Sequence, residues 1–254
     1  MSTTETNARG WIGRAPVAHR GLHDKADGRI ENSLSAIRAA VEAGFAIEID
    51  VRQSADGEVM VFHDATLDRL TGETGAFTDR NADELTGMEL TGSGGDTIPR
   101  LSDVLGAVDG RVPLYVEIKH ETRSSGARER AVAKALDGYD GPVAAMSFEP
   151  SSVRAMREVA PHITRGIVGE AYRDKAEWPG LSAMQRFSRR NLFHILSTAP
   201  HFIAWHIHDL PAFAPVIVNT LTGKPLLAWT VRSPAEAERA RASGAQIIFE
   251  NFLP

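Results

Sequence analysis

Residues 32–51 read NSLSAIRAAVEAGFAIEIDV, a helix signal running straight into a strand signal. Leu34, Ile37 and Val41 recur at helical spacing behind a candidate N-cap at Asn32 or Ser33, and Gly44 stops the run. Then the period changes from helical to two: Ile47, Ile49 and Val51 alternate with Glu48 and Asp50. The same succession recurs along the chain. Short β-like runs (PVAHRG, FAIEIDV, EVMVFHD, LYVEIK, VAAMSF, ITRGIVG, FIAWHIH, LLAWTV and QIIFEN) are separated by helical stretches. SPAEAERARASG, for example, opens with a capping box from Ser233 to Glu236, has Pro234 at the first helical position and closes on Gly244. Alternation of this kind predicts an α/β fold with a parallel sheet, and at 254 residues an eight-stranded TIM (β/α)8 barrel. Nine runs are one too many. Asp56-Gly57 resolves the count, because it reads as a hairpin turn joining FAIEIDV to EVMVFHD. The second arm then carries His63 to the rim without being a stave.

Residues 64–113 are rich in Gly, Thr and Asp with weak periodicity. Fifty such residues are too many for plain loop in a compact barrel, so a small insertion subdomain is expected there. Residues 1–14 read as a polar tail and 15–254 as the barrel. A formal charge of −5, from 28 basic and 33 acidic residues, with no basic block, argues against nucleic acid. No cysteine is present, which removes disulfides, thiol nucleophiles and thiolate metal sites. The polar N-terminus lacks a secretory h-region and no apolar run is long enough to span a bilayer, so no integral membrane association and a cytoplasmic location are expected.

The chemistry sits in the alternation. On an ordinary antiparallel strand, Glu48 and Asp50 would form a wet polar face. In a parallel barrel the apolar face must meet the outer helices, which turns both carboxylates inward. YVEIK repeats the arrangement, with Val116 and Ile118 outward and Glu117 and Lys119 inward. Crowded carboxylates in a poorly solvated interior must protonate or share a cation, and three oxygen donors suit Mg²⁺ or Ca²⁺. His19 and His63 end two of the runs, where a barrel places reactive groups. A single histidine there is more often a structural hydrogen-bonding residue; two beside an acidic cluster suggest acid–base work. Arg20 offers a planar fork for phosphate. Lys119 either contacts phosphate or simply pairs with Glu117. Together these parts describe a site for a phosphate ester. His206 and His208 in AWHIHDL share one strand face, a spacing that could grip a transition metal but is better read as pocket lining or hydrogen bonding in the barrel interior.

The ordered set HRG (19–21), EN (31–32), EIDV, FHD and EIK resembles the glycerophosphodiester phosphodiesterases. The resemblance runs from about residue 15 to the C-terminus. It implies a barrel enzyme that hydrolyses deacylated phospholipids to sn-glycerol 3-phosphate and an alcohol. It further implies His19 and His63 as the acid–base pair, a divalent metal ion on Glu48, Asp50 and Glu117 with Glu31 close by, and phosphate contacts from Arg20 and Lys119. Trp229 would pack against glycerol or head group. Where the family commonly has an aspartate after a small polar residue, this chain has Phe249-Glu250-Asn251. Two rival readings keep the fold: a phospholipase-D-like enzyme releasing a cyclic phosphate from lysophospholipids, and a non-catalytic ligand-binding barrel.

Overall fold

The structure is a computed structural model that describes residues 10–119 and 126–254. Strand β1 (Val17–His19) pairs in parallel with β2 (Ala46–Gln53), and parallel pairing continues through β4 (Leu114–Ile118), β5 (Val143–Ser147), β6 (Thr164–Gly169), β7 (Phe202–His206), β8 (Leu226–Val231) and β9 (Ala245–Phe249). β9 returns to β1 through Val17 and Ile248, which closes an eight-stranded barrel. The remaining strand, β3 (Val59–Val61), lies antiparallel to β2 with Val51 opposite Val61. It is the arm of a hairpin and not a stave, as the Asp56-Gly57 signal requires.

Period two puts alternate strand residues on opposite walls, and two separate cores result. Ile47, Ile49 and Val51 of β2 and Val116 and Ile118 of β4 face outward. They pack against α1 (Leu34–Glu42) through Ile37, Ala40 and Val41, and against α3 (Leu101–Val108) through Leu101, Val104 and Val108. Ser33, not Asn32, caps α1, its side chain accepting from the Ala36 amide. Inside, Val17, Tyr115, Ala144, Phe202, Ala204 and Leu227 fill the barrel below the strand ends. Phe202 occupies room that a side chain at Gly166 would take: a β-carbon there would lie 2.2 Å from Phe202 Cζ.

Of the polar tail expected over 1–14, residues 1–9 lie outside the described residues. Residues 10–14 turn beneath the barrel, burying Ile12 and setting Trp11 edge-on to Tyr115 at 5.3 Å. Between Asp64 and Arg100 the chain builds a side cluster of Leu67, Phe77, Ala82, Leu85, Leu90 and Ile98 on Ile30, Met60 and Phe62. It includes α2 (Ala82–Thr86) and a stacked Phe62–Phe77 pair 5.1 Å apart. From Leu101 onward the residues belong to the main barrel core. The other barrel helices are α4 (Ala127–Leu136), α5 (Pro150–Val159), α6 (Ala183–Arg190), α7 (Ile195–Thr198), α8 (Phe213–Thr222) and α9 (Pro234–Ala242). Among the described residues no helix is long and apolar enough to cross a membrane.

The Gly166–Phe202 fit gives a direct test of the interior packing. Gly166→Ala should overpack the closed end and destabilise the fold by about 1–3 kcal/mol, seen as a lower urea midpoint. Adding Phe202→Leu should recover part of that loss, whereas an equal or larger loss in the double variant would show that the two positions do not share space.

Candidate active site

Register fixes the acidic group. Asp50 sits beside Glu117 in the β2–β4 ladder, and His19 sits beside Glu48 in the β1–β2 ladder. Glu48, Asp50 and Glu117 are all buried, and each offers an oxygen within 4.8 Å of the others'. Burial, followed by the charges of Asp50 and Glu117, pushes the Glu48 carboxyl well above its usual range, and burial raises Glu117 as well. Asp50 behaves in the opposite way: burial alone would raise it, but Lys119 and Arg20 hold it well below the carboxylate range. Glu48 Oε1 is buried with no hydrogen-bond partner. An orphaned oxygen among three crowded carboxylates is what a hard divalent cation would satisfy, so the residues present fit one.

Two cations already partly neutralise the trio. Lys119 Nζ lies 2.8 Å from Asp50 Oδ1 and 2.6 Å from Glu117 Oε1, so the pairing expected with Glu117 is present and Asp50 shares it. Arg20 places Nε 3.2 Å from Asp50 Oδ2 and Nη1 2.7 Å from Glu31 Oε1, while its backbone amide donates to Glu48 Oε2 at 3.1 Å. That amide is aimed by an unusual backbone, since Arg20 has φ +59° and Asn32, bonded to its carbonyl, has φ +61°. Gly21, at φ +81°, lets the chain pass within van der Waals contact of Ala36 on α1, where any β-carbon would clash at 2.9 Å. The last residue of HRG is therefore set by packing. Asn32 carries more than the cap role considered for it: its Nδ2 donates to Asp50 Oδ2 at 2.9 Å and its Oδ1 accepts from the Asp50 amide at 3.2 Å.

Both histidines that the sequence placed at strand ends line one cavity of about 220 Å³ with Arg20, Glu48, Glu117 and Lys119. Each is held from behind. His19 Nδ1 donates to Glu250 Oε2 at 2.5 Å, and His63 Nδ1 donates to Asp64 Oδ1 at 2.6 Å. A carboxylate partner fixes the proton on Nδ1 and leaves Nε2 for chemistry; His19 Nε2 lies 3.9 Å from Glu48 Oε2. Burial lowers both imidazoles, His63 to about 4. Glu250 also accepts from Arg232 Nε at 2.6 Å, and despite burial its contacts with His19 and His23 hold it below the usual carboxylate range. Arg69 clamps Asp64 at 2.5 Å and Glu31 at 2.8 Å. Glu31 thus stands outside the acidic trio, tied to Arg20 and Arg69.

Sequence reading missed Asp64, Arg69 and the role of Glu250 as partners. The signal for Glu250 was its position: an acid closing QIIFEN stands at the same barrel end as His19. Trp229 lines the cavity, edge-on to Phe148 at 5.1 Å and 4.9 Å from the His206 ring. The expectation that His206 and His208 share one strand face fails. β7 ends at His206, and His208 belongs to the following helical turn, Ile207–Asp209. His206 faces Asp209 at 3.6 Å, and His208 sits beside Glu236 at 3.4 Å. Among the described residues, the acidic group that could hold an ion is Glu48, Asp50 and Glu117, and neither of these histidines joins it.

The glycerophosphoryl diester phosphodiesterase family model matches residues 19–253. Glycerophosphodiester phosphodiesterase 1 of Bos taurus is 24% identical over 241 residues, covering 85% of this chain and 71% of that protein. A glycerophosphodiester phosphodiesterase of Caldanaerobacter subterraneus is 30% identical over 161 residues, 60% of this chain and 65% of its own length. Among solved structures, an Oleispira antarctica phosphodiesterase in complex with the product sn-glycerol-3-phosphate superposes with a TM-score of 0.75 at 23% identity, covering 92% of this chain and 91% of that one. The glycerophosphodiester phosphodiesterase of Thermotoga maritima gives 0.69 at 24% identity, over 93% and 94%. A closed parallel barrel with this ordered motif set, matched over nearly its whole length, belongs to the glycerophosphoryl diester phosphodiesterase family.

Proposed function

We propose that this chain hydrolyses glycerophosphodiesters to sn-glycerol 3-phosphate and an alcohol, using a divalent metal ion and the His19–His63 pair. The observation that carries the reading is the cavity itself: two carboxylate-backed imidazoles stand beside three crowded carboxylates and two cations. The product bound in the Oleispira antarctica relative supports the substrate class.

Glu48, Asp50 and Glu117 would hold the ion, which when bound supplies charge neutralisation at the phosphoryl oxygens. Arg20 and Lys119 add fixed positive charge on the same wall. Their present carboxylate contacts keep both side chains extended into the cavity, so an arriving phosphate meets donors already in place. With Nδ1 of each histidine committed to a carboxylate, protons move at the two Nε2 atoms.

The glycerol 2-hydroxyl is the nucleophile this arrangement serves best. One imidazole removes its proton as O2 bonds to phosphorus, the bond from phosphorus to the alcohol oxygen breaks, and the other imidazole protonates the departing alkoxide. Water then opens the five-membered cyclic phosphate with the two histidines in exchanged roles. An internal nucleophile brings an effective molarity of about 10⁵ M, roughly 7 kcal/mol of barrier, without a serine or cysteine nucleophile. Trp229, Phe148, Met146 and Val168 form the apolar side of the cavity, against which the glycerol carbons or head group would pack.

His19→Ala and His63→Ala should each reduce kcat on glycerophosphocholine by about 10²–10⁴-fold with the circular dichroism spectrum unchanged, and chelator should abolish turnover. Wild-type turnover in either variant overturns the acid–base pair. Glu250→Gln should lower kcat by about 10–100-fold with little change in KM, and cost nothing further when His19 is already alanine. An additive loss in that double variant would assign Glu250 a structural role instead. A diester of 1,3-propanediol lacks the 2-hydroxyl that closes a five-membered ring and should turn over orders of magnitude more slowly; equal rates would rule out attack by the 2-hydroxyl.

A further inference from the structure

The described residues have nine exposed large apolar side chains, and seven of them lie between residues 183 and 224. Four are almost bare: Leu196 is 88% exposed, Met184 and Phe213 80%, and Leu221 78%. They are ordered by helix geometry. On α8, Phe213, Ile217 and Leu221 follow at intervals of four and form one stripe. Met184 and Phe187 lie one turn apart on α6, Phe193 follows in the connecting turn and Leu196 on α7, with the Phe187 and Phe193 rings 5.7 Å apart. α6 and α7 connect β6 to β7 and α8 connects β7 to β8, so the two groups occupy neighbouring positions on one flank.

Charge separates this flank from the rest of the molecule. In a chain with 33 acidic residues, residues 183–224 contain a single one, Asp209, against Arg186, Arg189, Arg190 and Lys224. Asp209 is turned away, accepting from the Ala171 amide at 2.8 Å and facing His206. Arg189 is buried on Glu149, but Arg190 is exposed with its guanidinium 5.6 Å above the Phe187 ring. The preceding loop, 170–182, has Glu170, Asp174 and Glu177 against Arg173 and Lys175, and Glu170 is taken up by the Trp178 indole, which donates to its Oε1 at 2.7 Å.

We propose that this flank, α6 to α8, binds the surface of an anionic phospholipid bilayer. Phe, Leu and Met side chains beside arginines on a helix are the composition of an element that lies in the interface, not one that spans it. A second copy of the chain fits less well. A two-fold contact through this face would bring the exposed Arg190 of both copies into it, with Asp209 the one acid between residues 183 and 224 and already engaged. The negative charge elsewhere on the chain would further orient the cationic flank toward an anionic surface.

Vesicle binding is read independently of the active site, and diester hydrolysis serves only as a control on the variants. The full chain should co-sediment with phosphatidylcholine vesicles containing about 30% phosphatidylglycerol, but not with pure phosphatidylcholine. Binding should weaken as NaCl rises from about 0.05 to 0.5 M. Replacing Phe193, Leu196, Phe213 and Leu221 by serine, or Arg186 and Arg190 by glutamine, should reduce the bound fraction at least about tenfold. The thermal midpoint and hydrolysis of a soluble diester should stay at wild-type values in both variants. Absence of binding, or equal binding to both vesicle types, overturns the proposal. So does a dimer in sedimentation velocity that the serine variant dissociates, which would assign the face to a second copy.

Discussion

Three carboxylates share a space from which water is largely excluded, and the rest of the site is arranged around their repulsion. Glu48, Asp50 and Glu117 reach it because the outward positions of the same strands are needed by the helices. Each strand therefore buys its outer packing with an inner polar position, and the barrel gathers those positions at one end. An isolated buried carboxylate costs several kcal/mol, so the trio survives only through partners. Lys119, Arg20 and Asn32 all converge on Asp50, which stays ionised, while Glu48 retains an oxygen with no partner. That uneven distribution is informative. A purely structural ion cluster would satisfy every oxygen, whereas this one leaves capacity for a cation.

The cavity is polarised across the barrel. β1, β2 and β4 and the residues just past them contribute His19, Arg20, Glu48, Glu117 and Lys119, while β5, β6, β8 and β9 contribute Met146, Val168, Trp229 and Ile248, with Thr230 and Arg232 the polar groups on that side. A ligand with an ionic centre and an apolar flank is held in one orientation by such a site, without a dedicated hydrogen bond to every atom. The same asymmetry explains the supporting shell. On the charged side, Asp64, Arg69 and Glu31 form a continuous chain of ion pairs from His63 to Arg20, and Glu250 links His19 to Arg232. Arg69 comes from the segment after β3, so the side cluster around Phe62 and Phe77 helps anchor one end of that chain.

The fold was legible because barrels obey a strict period. AIEIDV and YVEIK state in five or six letters which side chains face inward, and Asp56-Gly57 removes the surplus strand. Residues whose partners lie close in sequence or on adjacent strands were read correctly in position: Asp50 with Glu117, and Lys119 with Glu117. What could not be read were contacts that only closure creates. Glu250 stands 231 residues from His19, and its place at the close of QIIFEN gives the barrel end but not which side chain it meets. Arg69 lies in a segment with no periodicity from which to infer a direction. His206 and His208 misled for a local reason: two-residue spacing implies one face only while the strand continues, and here the backbone turns helical after His206.

Backbone conformation shows where this economy has limits. Arg20 and Asn32 both occupy the left-handed region, which costs of order 1 kcal/mol for a residue with a side chain. Neither can be relaxed alone. Turning Arg20 to an ordinary conformation would withdraw its amide from Glu48 and its carbonyl from Asn32, and Asn32 would then release Asp50. Gly21 cannot give way to a side chain either, because α1 lies against it. The strain is thus held by packing on one side and by the acidic cluster on the other. Arg20 owes its reach into the cavity to the same charges it helps to neutralise, so the electrostatic problem of three buried carboxylates and the geometric problem of presenting a guanidinium have one solution.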